Sequence, residues 1–257
     1  MKGFGIVDLA VIPGRKEPRD SSEMVTQLLF GEVYSIEDEK EKWVQVKNYF
    51  DQYVFWIDKK QFVEITHAEF DEYKLNDFPR VAFPGATANS ENGSIKLPTG
   101  AVLPYYSNGR FRIRNQKFQT SCQLSPIEVG QLLDSAKEYL NTPYLWGGKT
   151  QWGIDCSGLV QVLFSLIGIK LKRDAWQQAE QGETVAFIEE AQTGDLAFFD
   201  NAEGKITHVG IVMENEKGGK EIIHASGRVR IDQLDHQGIY DAKQKKYTHQ
   251  LRIVRRY

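Results

Sequence analysis

Two cysteines and five histidines stand among the 257 residues, and one cysteine is set where a sulfur can become reactive. Cys156 lies in Gly153-Ile154-Asp155-Cys156-Ser157-Gly158-Leu159-Val160, and the apolar residues Val162, Leu163, Phe164, Leu166 and Ile167 follow it up to Gly168. That run predicts a buried helix of about three turns, opened at Asp155 or Cys156 and stopped by Gly168. A cysteine in the first turn meets unpaired backbone N–H groups and the positive end of the helix dipole, which favour the nucleophilic thiolate. The same place also suits a small buried residue capping a core helix.

Two histidines downstream change the balance. Thr207 to Met213 and Glu221 to Ser226 read as strands around the polar turn Glu214 to Lys220. A hairpin symmetric about that turn sets Met213 opposite Glu221 and Gly210 opposite His224, so His208 and His224 share a face as diagonal neighbours. A slip of one residue would part them. Two imidazoles on one face, with a helix-start cysteine, fit a nucleophile, a base and an orienting group. Zinc held by the same cysteine and histidines is the competing reading, but no fourth ligand is suggested nearby, and neither metal nor cofactor is expected.

The blocks Asp155-Cys156-Ser157-Gly158, Thr207-His208-Val209-Gly210-Ile211 and Ile223-His224-Ala225-Ser226 resemble, in order and spacing, the signatures of the NlpC/P60 cell-wall cysteine peptidases. Pro143 to Gly148 and Gly194 to Phe199 are similar to two further blocks of that family, and five blocks in order are far more specific than one. The resemblance covers about the second half of the chain and implies a reduced papain-like fold. It implies Cys156 as nucleophile, His208 as base, His224 as the third member, and Tyr144 as an oxyanion donor beside the cysteine's own N–H. It also implies substrate contacts from Asp155, Ser157 and Trp146, and a carboxylate at Asp174, within Arg173-Asp174-Ala175, for a free substrate amine. Ala175 departs from the serine common at that place. Local readings stand beside these roles: a helix cap for Asp155, a helix-start hydroxyl for Ser157, and core or pocket wall for Tyr144 and Trp146. Gln151, His67, His236 and His249 read as ordinary exposed residues.

The elements that must position these groups follow from patterning. Residues 1–65 show five short strands (Gly5 to Ile12, Val25 to Phe30, Val33 to Ile36, Trp43 to Val46, Tyr53 to Ile57), with a polar loop from Pro13 to Glu23. Residues 66–122 carry a weaker echo, Pro98 to Leu103 paralleling Leu29 to Tyr34. Both resemble bacterial SH3-type barrels. In relatives the first barrel closes one end of the cleft with an acidic residue and a tyrosine, and Glu23 and Tyr53 are the positional matches. In residues 123–257, Ser125-Pro126-Ile127-Glu128 reads as a capped helix start, running on through Val129, Leu132, Leu133, Ala136 and Leu140 to the turn before Pro143. Four strands follow, near 195–199, 207–213, 221–226 and 250–255. The expectation is an α+β chain: a papain-like catalytic domain preceded by two small SH3-like barrels.

An apolar content of 41% beside 26% charged residues supports packed cores. A net charge of -3 gives no reason to expect nucleic acid or an anionic membrane, and Arg252, Arg255 and Arg256 read as a solvated strand edge. Two cysteines make no disulfide framework. Met1 to Leu9 lack the apolar core of an export signal, so a cytoplasmic monomer is expected, or a periplasmic or extracellular one if a signal has been removed. The family resemblance implies hydrolysis of the γ-D-glutamyl-diamino acid bond in murein peptides, with a free N-terminus, during cell-wall recycling. An exported hydrolase using its barrels to hold intact peptidoglycan, and a non-catalytic wall-binding scaffold, are the alternatives.

Overall fold

The computed structural model describes residues 3–257. Residues 1 and 2, on which the reading of the N-terminus partly rests, lie outside the described residues. Strands β1 (Phe4–Ile6), β2 (Val11–Arg15), β3 (Met24–Leu29), β4 (Val33–Glu39), β5 (Trp43–Asn48), β6 (Val54–Asp58) and β7 (Glu64–Ile65) form one sheet in the order β3-β2-β6-β5-β4-β1-β7. Alternation in β5 turns Val44 and Val46 into a core with Ile12, Leu28, Phe55 and Ile57. Gly5 to Ile12, expected as one strand, is broken after Ile6. There the backbone of Val7 bonds to Gly31 and Glu32 at the β3–β4 corner, at 2.8 and 3.0 Å. Pro13, expected in the loop, sits inside β2.

The second segment opens with a helix that patterning does not predict, α1 (His67–Leu75), held by a capping box between Thr66 and Glu69. Strands β8 (Ala86–Ser90), β9 (Gly93–Leu97), β10 (Arg110–Ile113) and β11 (Gln116–Gln119) make a four-stranded sheet ordered β10-β11-β8-β9. One apolar cluster runs through both segments: Phe30 of the first meets Phe111 and Phe118 of the second edge-on, at 5.8 and 5.5 Å between ring centres. The two segments therefore share this cluster, while the core around Val44, Val46 and Phe55 belongs to the first alone.

The expected helix start at Ser125 is a correction. Ser125 is tied to Arg80, donating its N–H to the Arg80 carbonyl and accepting the Arg80 N–H on its hydroxyl, both at 2.8 Å, so it caps nothing. The capping box is formed by Glu128 and Gln131, and α2 (Leu132–Lys137) is short. Val129 and Leu140, expected on the buried face, are exposed.

After the short strands β12 (Lys149–Thr150) and β13 (Gly153–Ile154) comes α3 (Cys156–Leu166), buried along its whole length. Leu159, Val160 and Leu163 pack on Phe198, Val209 and Ile223, each fully buried side chain contributing about 1.5–3 kcal/mol. A short α4 (Ala175–Gln178) precedes the main sheet: β14 (Glu183–Val185), β15 (Leu196–Asp200), β16 (Ile206–Glu214), β17 (Lys220–Ser226), β18 (Arg228–Leu234), β19 (Gly238–Asp241) and β20 (Lys246–Arg256). Its order is β14-β20-β15-β16-β17-β18-β19, and β20 also pairs with β19, so six of the strands close into a ring. Patterning does not mark β14, β18 or β19; charged residues such as Arg228, Arg230 and Asp232 alternate through β18 and hide its apolar side. Nor is β20 an edge. It lies between β14, β15 and β19, with Arg256 paired to Asp195 at 2.7 Å.

Candidate active site

Asp155 caps α3, its Oδ1 accepting the Gly158 N–H at 2.6 Å. That leaves Cys156 at the first helical position, as the apolar run predicts. Its electrostatics differ from the expectation. Cys156 is only 6% exposed. Burial, joined by the Asp155 carboxylate, pushes the thiol up to about 12, although Arg173 and backbone N–H groups of Val209 and Ser157 pull the other way. The resting sulfur is therefore a thiol, because desolvation outweighs the helix end.

The β16–β17 register sets Gly210 opposite His224 and Met213 opposite Glu221, as the symmetric hairpin requires. His208 and His224 then meet on one face, His208 Nε2 lying 2.8 Å from His224 Nδ1. Burial, and the neighbouring imidazoles His224 and His249, hold His208 well below the usual histidine range, so it is a neutral base at ordinary pH. Val209, the residue after His208, aims its N–H at the sulfur, which puts the strand carrying this base against the thiol.

Two neighbours of this pair escape sequence reading. His249, expected on the surface, is partly buried and stacks on His208, ring centres 4.2 Å apart and planes 25° from parallel. Asp232 of β18 accepts from His224 Nε2 at 2.9 Å. Nothing in local spacing marks either, since both reach the histidines only through the pairing of strands that the pattern conceals. His236 and His67 are exposed, as expected. Gln151, expected as an exposed residue, is half-buried; it links Thr99 N–H (3.3 Å) to the Pro84 carbonyl (3.2 Å), away from the sulfur.

Cys156 opens on a cavity of about 550 Å³. Tyr144, Trp146, Asp155, Ser157 and Asp174 line it from the catalytic half, and Glu23 and Tyr53 from the first barrel. His208 and His224 do not line it, although Thr207 beside His208 does. Tyr53 donates to Asp174 at 3.1 Å, and Trp146 donates its indole N–H to Glu23 at 2.8 Å. Lys16 balances Glu23 from the other side at 3.3 Å. Burial raises Asp174 above the usual carboxylate range, against the opposing pull of Arg173 and Tyr53.

Beneath the cavity Arg173, 1% exposed, grips Asp155 with two nitrogens at 2.6 and 3.2 Å, and donates to Ser157 (2.8 Å) and to Thr26 of the barrel (3.0 Å). Such a bidentate pair fixes geometry as well as charge. Gly147 completes the junction. Its φ is +76°, and a Cβ there would come 2.5 Å from the Met24 carbonyl, so only glycine lets the two backbones approach.

The NlpC/P60 family pattern matches residues 141–252, and that of the bacterial dipeptidyl-peptidase Sh3 domain matches residues 14–62. A gamma-D-glutamyl-L-lysine dipeptidyl-peptidase of Bacillus subtilis (strain 168) is 30% identical over 221 residues, covering 78% of this chain and 71% of that protein. The chain belongs to the NlpC/P60 family. It is thus a cysteine peptidase by descent, with an SH3-like barrel ahead of the peptidase fold. A gamma-D-glutamyl-L-lysine dipeptidyl-peptidase of Bacillus cereus (strain ATCC 10987 / NRS 248) is 26% identical over 235 residues, covering 80% of this chain and 68% of the relative. The crystal structure of an NlpC/P60 family protein from Bacillus cereus ATCC 10987 superposes with a TM-score of 0.78 at 21% identity, over 99% of both chains. That likeness extends the family fold through both N-terminal segments. A bifunctional muramidase/DL-endopeptidase of Bacillus subtilis (strain 168) is 48% identical over 88 residues, covering 33% of this chain and 26% of that protein.

Proposed function

We propose that this protein hydrolyses the γ-D-glutamyl-diamino acid bond of short murein peptides that carry a free N-terminus. The observation that carries this reading is the composition of the cavity on Cys156: Glu23 and Tyr53 of the first barrel line it together with Asp174, so two carboxylates stand where a free amine would be held. The two Bacillus relatives, named for a γ-D-glutamyl-L-lysine bond, support the same cleavage. On this reading the chain is organised as barrel, barrel and peptidase, with divisions near residues 65 and 122, and the recycling of wall fragments inside the cell is its place of work.

His208 takes the Cys156 proton as the sulfur attacks the γ-carbonyl, and returns it to the leaving amine. The buried site disfavours either charge alone, so thiolate and imidazolium arise together as a mutually compensating pair. The oxyanion is met by the Cys156 N–H, one of the donors that the start of α3 leaves unpaired, and by the Tyr144 hydroxyl. His224 orients the His208 ring, and Asp155 and Ser157 shape the floor under the D-glutamyl unit. Water then hydrolyses the thioester, with His208 as base.

The test is cleavage of L-Ala-γ-D-Glu-meso-diaminopimelate and its L-Lys counterpart, beside their N-acetylated forms and a Cys156→Ala control. The expected result is cleavage of the free peptides only, and none by the control. Equal cleavage of free and acetylated peptides would overturn the free-amine reading. Degradation of purified sacculi in preference to free peptides would point to wall remodelling instead.

A further inference from the structure

A line of hydrogen bonds continues past the two histidines. His224 Nε2 lies 2.9 Å from Asp232 Oδ2, and His224 Nδ1 lies 2.8 Å from His208 Nε2. The other Asp232 oxygen, Oδ1, is held by Arg230 at 2.6 Å, and Arg230 is held in turn by Asp241 at 3.0 Å. His224 is 1% exposed and the Asp232 side chain 9%, so water competes little for these bonds. Burial pushes the Asp232 carboxyl up, but hydrogen bonds from His224 and Arg230 outweigh it and hold the group below its usual range.

The directions of these bonds follow from what each group can do. An ionised carboxylate only accepts, so His224 must carry its proton on Nε2. A neutral imidazole has one N–H, which leaves His224 Nδ1 as an acceptor, and the proton between the rings must sit on His208 Nε2. Neutral His208 then has its lone pair on Nδ1. We propose that Asp232 is a positioning residue: acting through both rings, its carboxylate makes Nδ1 of His208 the basic atom. This rests on the reading of His208 as the base for Cys156. In the step it serves, the S–H bond of Cys156 breaks, the proton joins His208 Nδ1, and the electron pair stays on sulfur. The imidazolium so formed is stabilised by a carboxylate one ring away.

The competing role for Asp232 is purely structural, fastening β18 to β17 through His224 and, by way of Arg230, to Asp241 of β19. Asp232→Asn separates the two. Asparagine keeps an oxygen for Arg230 but can present its N–H₂ to His224 Nε2, which reverses every bond and leaves the proton on His208 Nδ1. The expected loss in kcat is at least about 100-fold, by analogy with the wrong-tautomer effect in serine peptidases, with KM nearly unchanged. ¹⁵N NMR of the imidazoles should show a bare Nδ1 on His208 in the wild type and a protonated one in the variant. Alkylation of Cys156 by iodoacetamide should slow in parallel. Arg230→Met cuts the link to Asp241 of β19 and spares the carboxylate, and should keep the wild-type tautomer.

A wild-type His208 protonated at Nδ1 would overturn the proposal, and that measurement needs no variant. So would a folded Asp232→Asn protein with unchanged tautomer and alkylation rate, or loss of the bare Nδ1 in Arg230→Met. If the wild type cleaves none of the peptides while NMR and alkylation respond as expected, the assignment of Asp232 stands and the proposed reaction falls.

Discussion

The Tyr53 hydroxyl donates to both carboxylate oxygens of Asp174, at 3.1 and 3.3 Å, across 121 residues of chain. It joins the first barrel to the loop before α4, and both residues line the cavity beside Cys156.

Removing that bond should weaken recognition of a free amine. Tyr53→Phe is expected to lower kcat/KM for L-Ala-γ-D-Glu-diamino acid peptides about tenfold, since a hydrogen bond to a charged group contributes about 1.5–3 kcal/mol. Asp174→Asn should cost more, about 100-fold. The N-acetylated peptides should stay uncleaved by both variants, and steady-state kinetics on the free peptides measures the two losses.

Stability at high pH should report the buried thiol. The sign follows from proton counting. The folded pKa is raised to about 12 from an ordinary value of 9.0, so above pH 9 the unfolded chain releases a proton that the folded one keeps. Stability therefore falls as pH rises through that window. Cys156→Ala removes this component, so its melting temperature should drop less between pH 8 and pH 10 than that of the wild type. Equal drops would mean that the sulfur is not desolvated.

The histidine cluster sets the opposite trend in acid. His249 is held down to about 4, chiefly by burial and also by His224, and His208 is depressed as well. Unfolded imidazoles take up protons below about pH 6.5 that the folded ones refuse, so stability falls from there toward pH 4. His249→Phe keeps an aromatic ring against His208 and should recover on the order of 1 kcal/mol at pH 4.5 after allowance for partial exposure. Denaturant melts of both proteins at pH 7 and 4.5 measure it. The acid limb of kcat/KM should likewise lie below 6.5, because His208 stays unprotonated there.

Gly147→Ala tests the junction between barrel and peptidase. A side chain at φ +76° that meets the Met24 carbonyl at 2.5 Å should cost at least about 1–2 kcal/mol. The neighbouring Gly147 N–H also donates to Asp155 at 2.9 Å, so displacement of this loop should reduce peptide cleavage together with thermal stability. A variant as stable and as active as the wild type would show that the junction yields freely.

Chelation should leave activity intact. Both nitrogens of His224 are spent, one on His208 and one on Asp232, so the cluster has no spare lone pair there for a cation. Activity unchanged after dialysis against EDTA is the expected outcome, and loss that zinc restores would contradict it.

Much of this arrangement is legible in the order of residues. The run after Cys156 defines α3, because an unbroken apolar stretch between an aspartate cap and a glycine stop has few other solutions. The turn Glu214 to Lys220 defines the register that brings His208 to His224. Other readings fail for identifiable reasons. Ser125 has the pattern of a helix cap, yet its hydroxyl and N–H are taken by Arg80. The helix α1 and the strand β18 hide behind polar residues.

Order and short-range pattern determined by themselves that a cysteine heads a buried helix and that two histidines share a hairpin face, and the resemblance carried by those motifs implied an SH3-like barrel ahead of a peptidase fold. The first two are local facts, set by backbone geometry within a few residues of each group. Tertiary structure alone decided the charge state of the sulfur, the stacking of His249 on His208, the reach of Asp232 to His224, and the meeting of Tyr53 with Asp174. Each of those depends on desolvation or on contact between strands and loops far apart in the chain, and free energies of that kind come into being only when the whole molecule closes around the site.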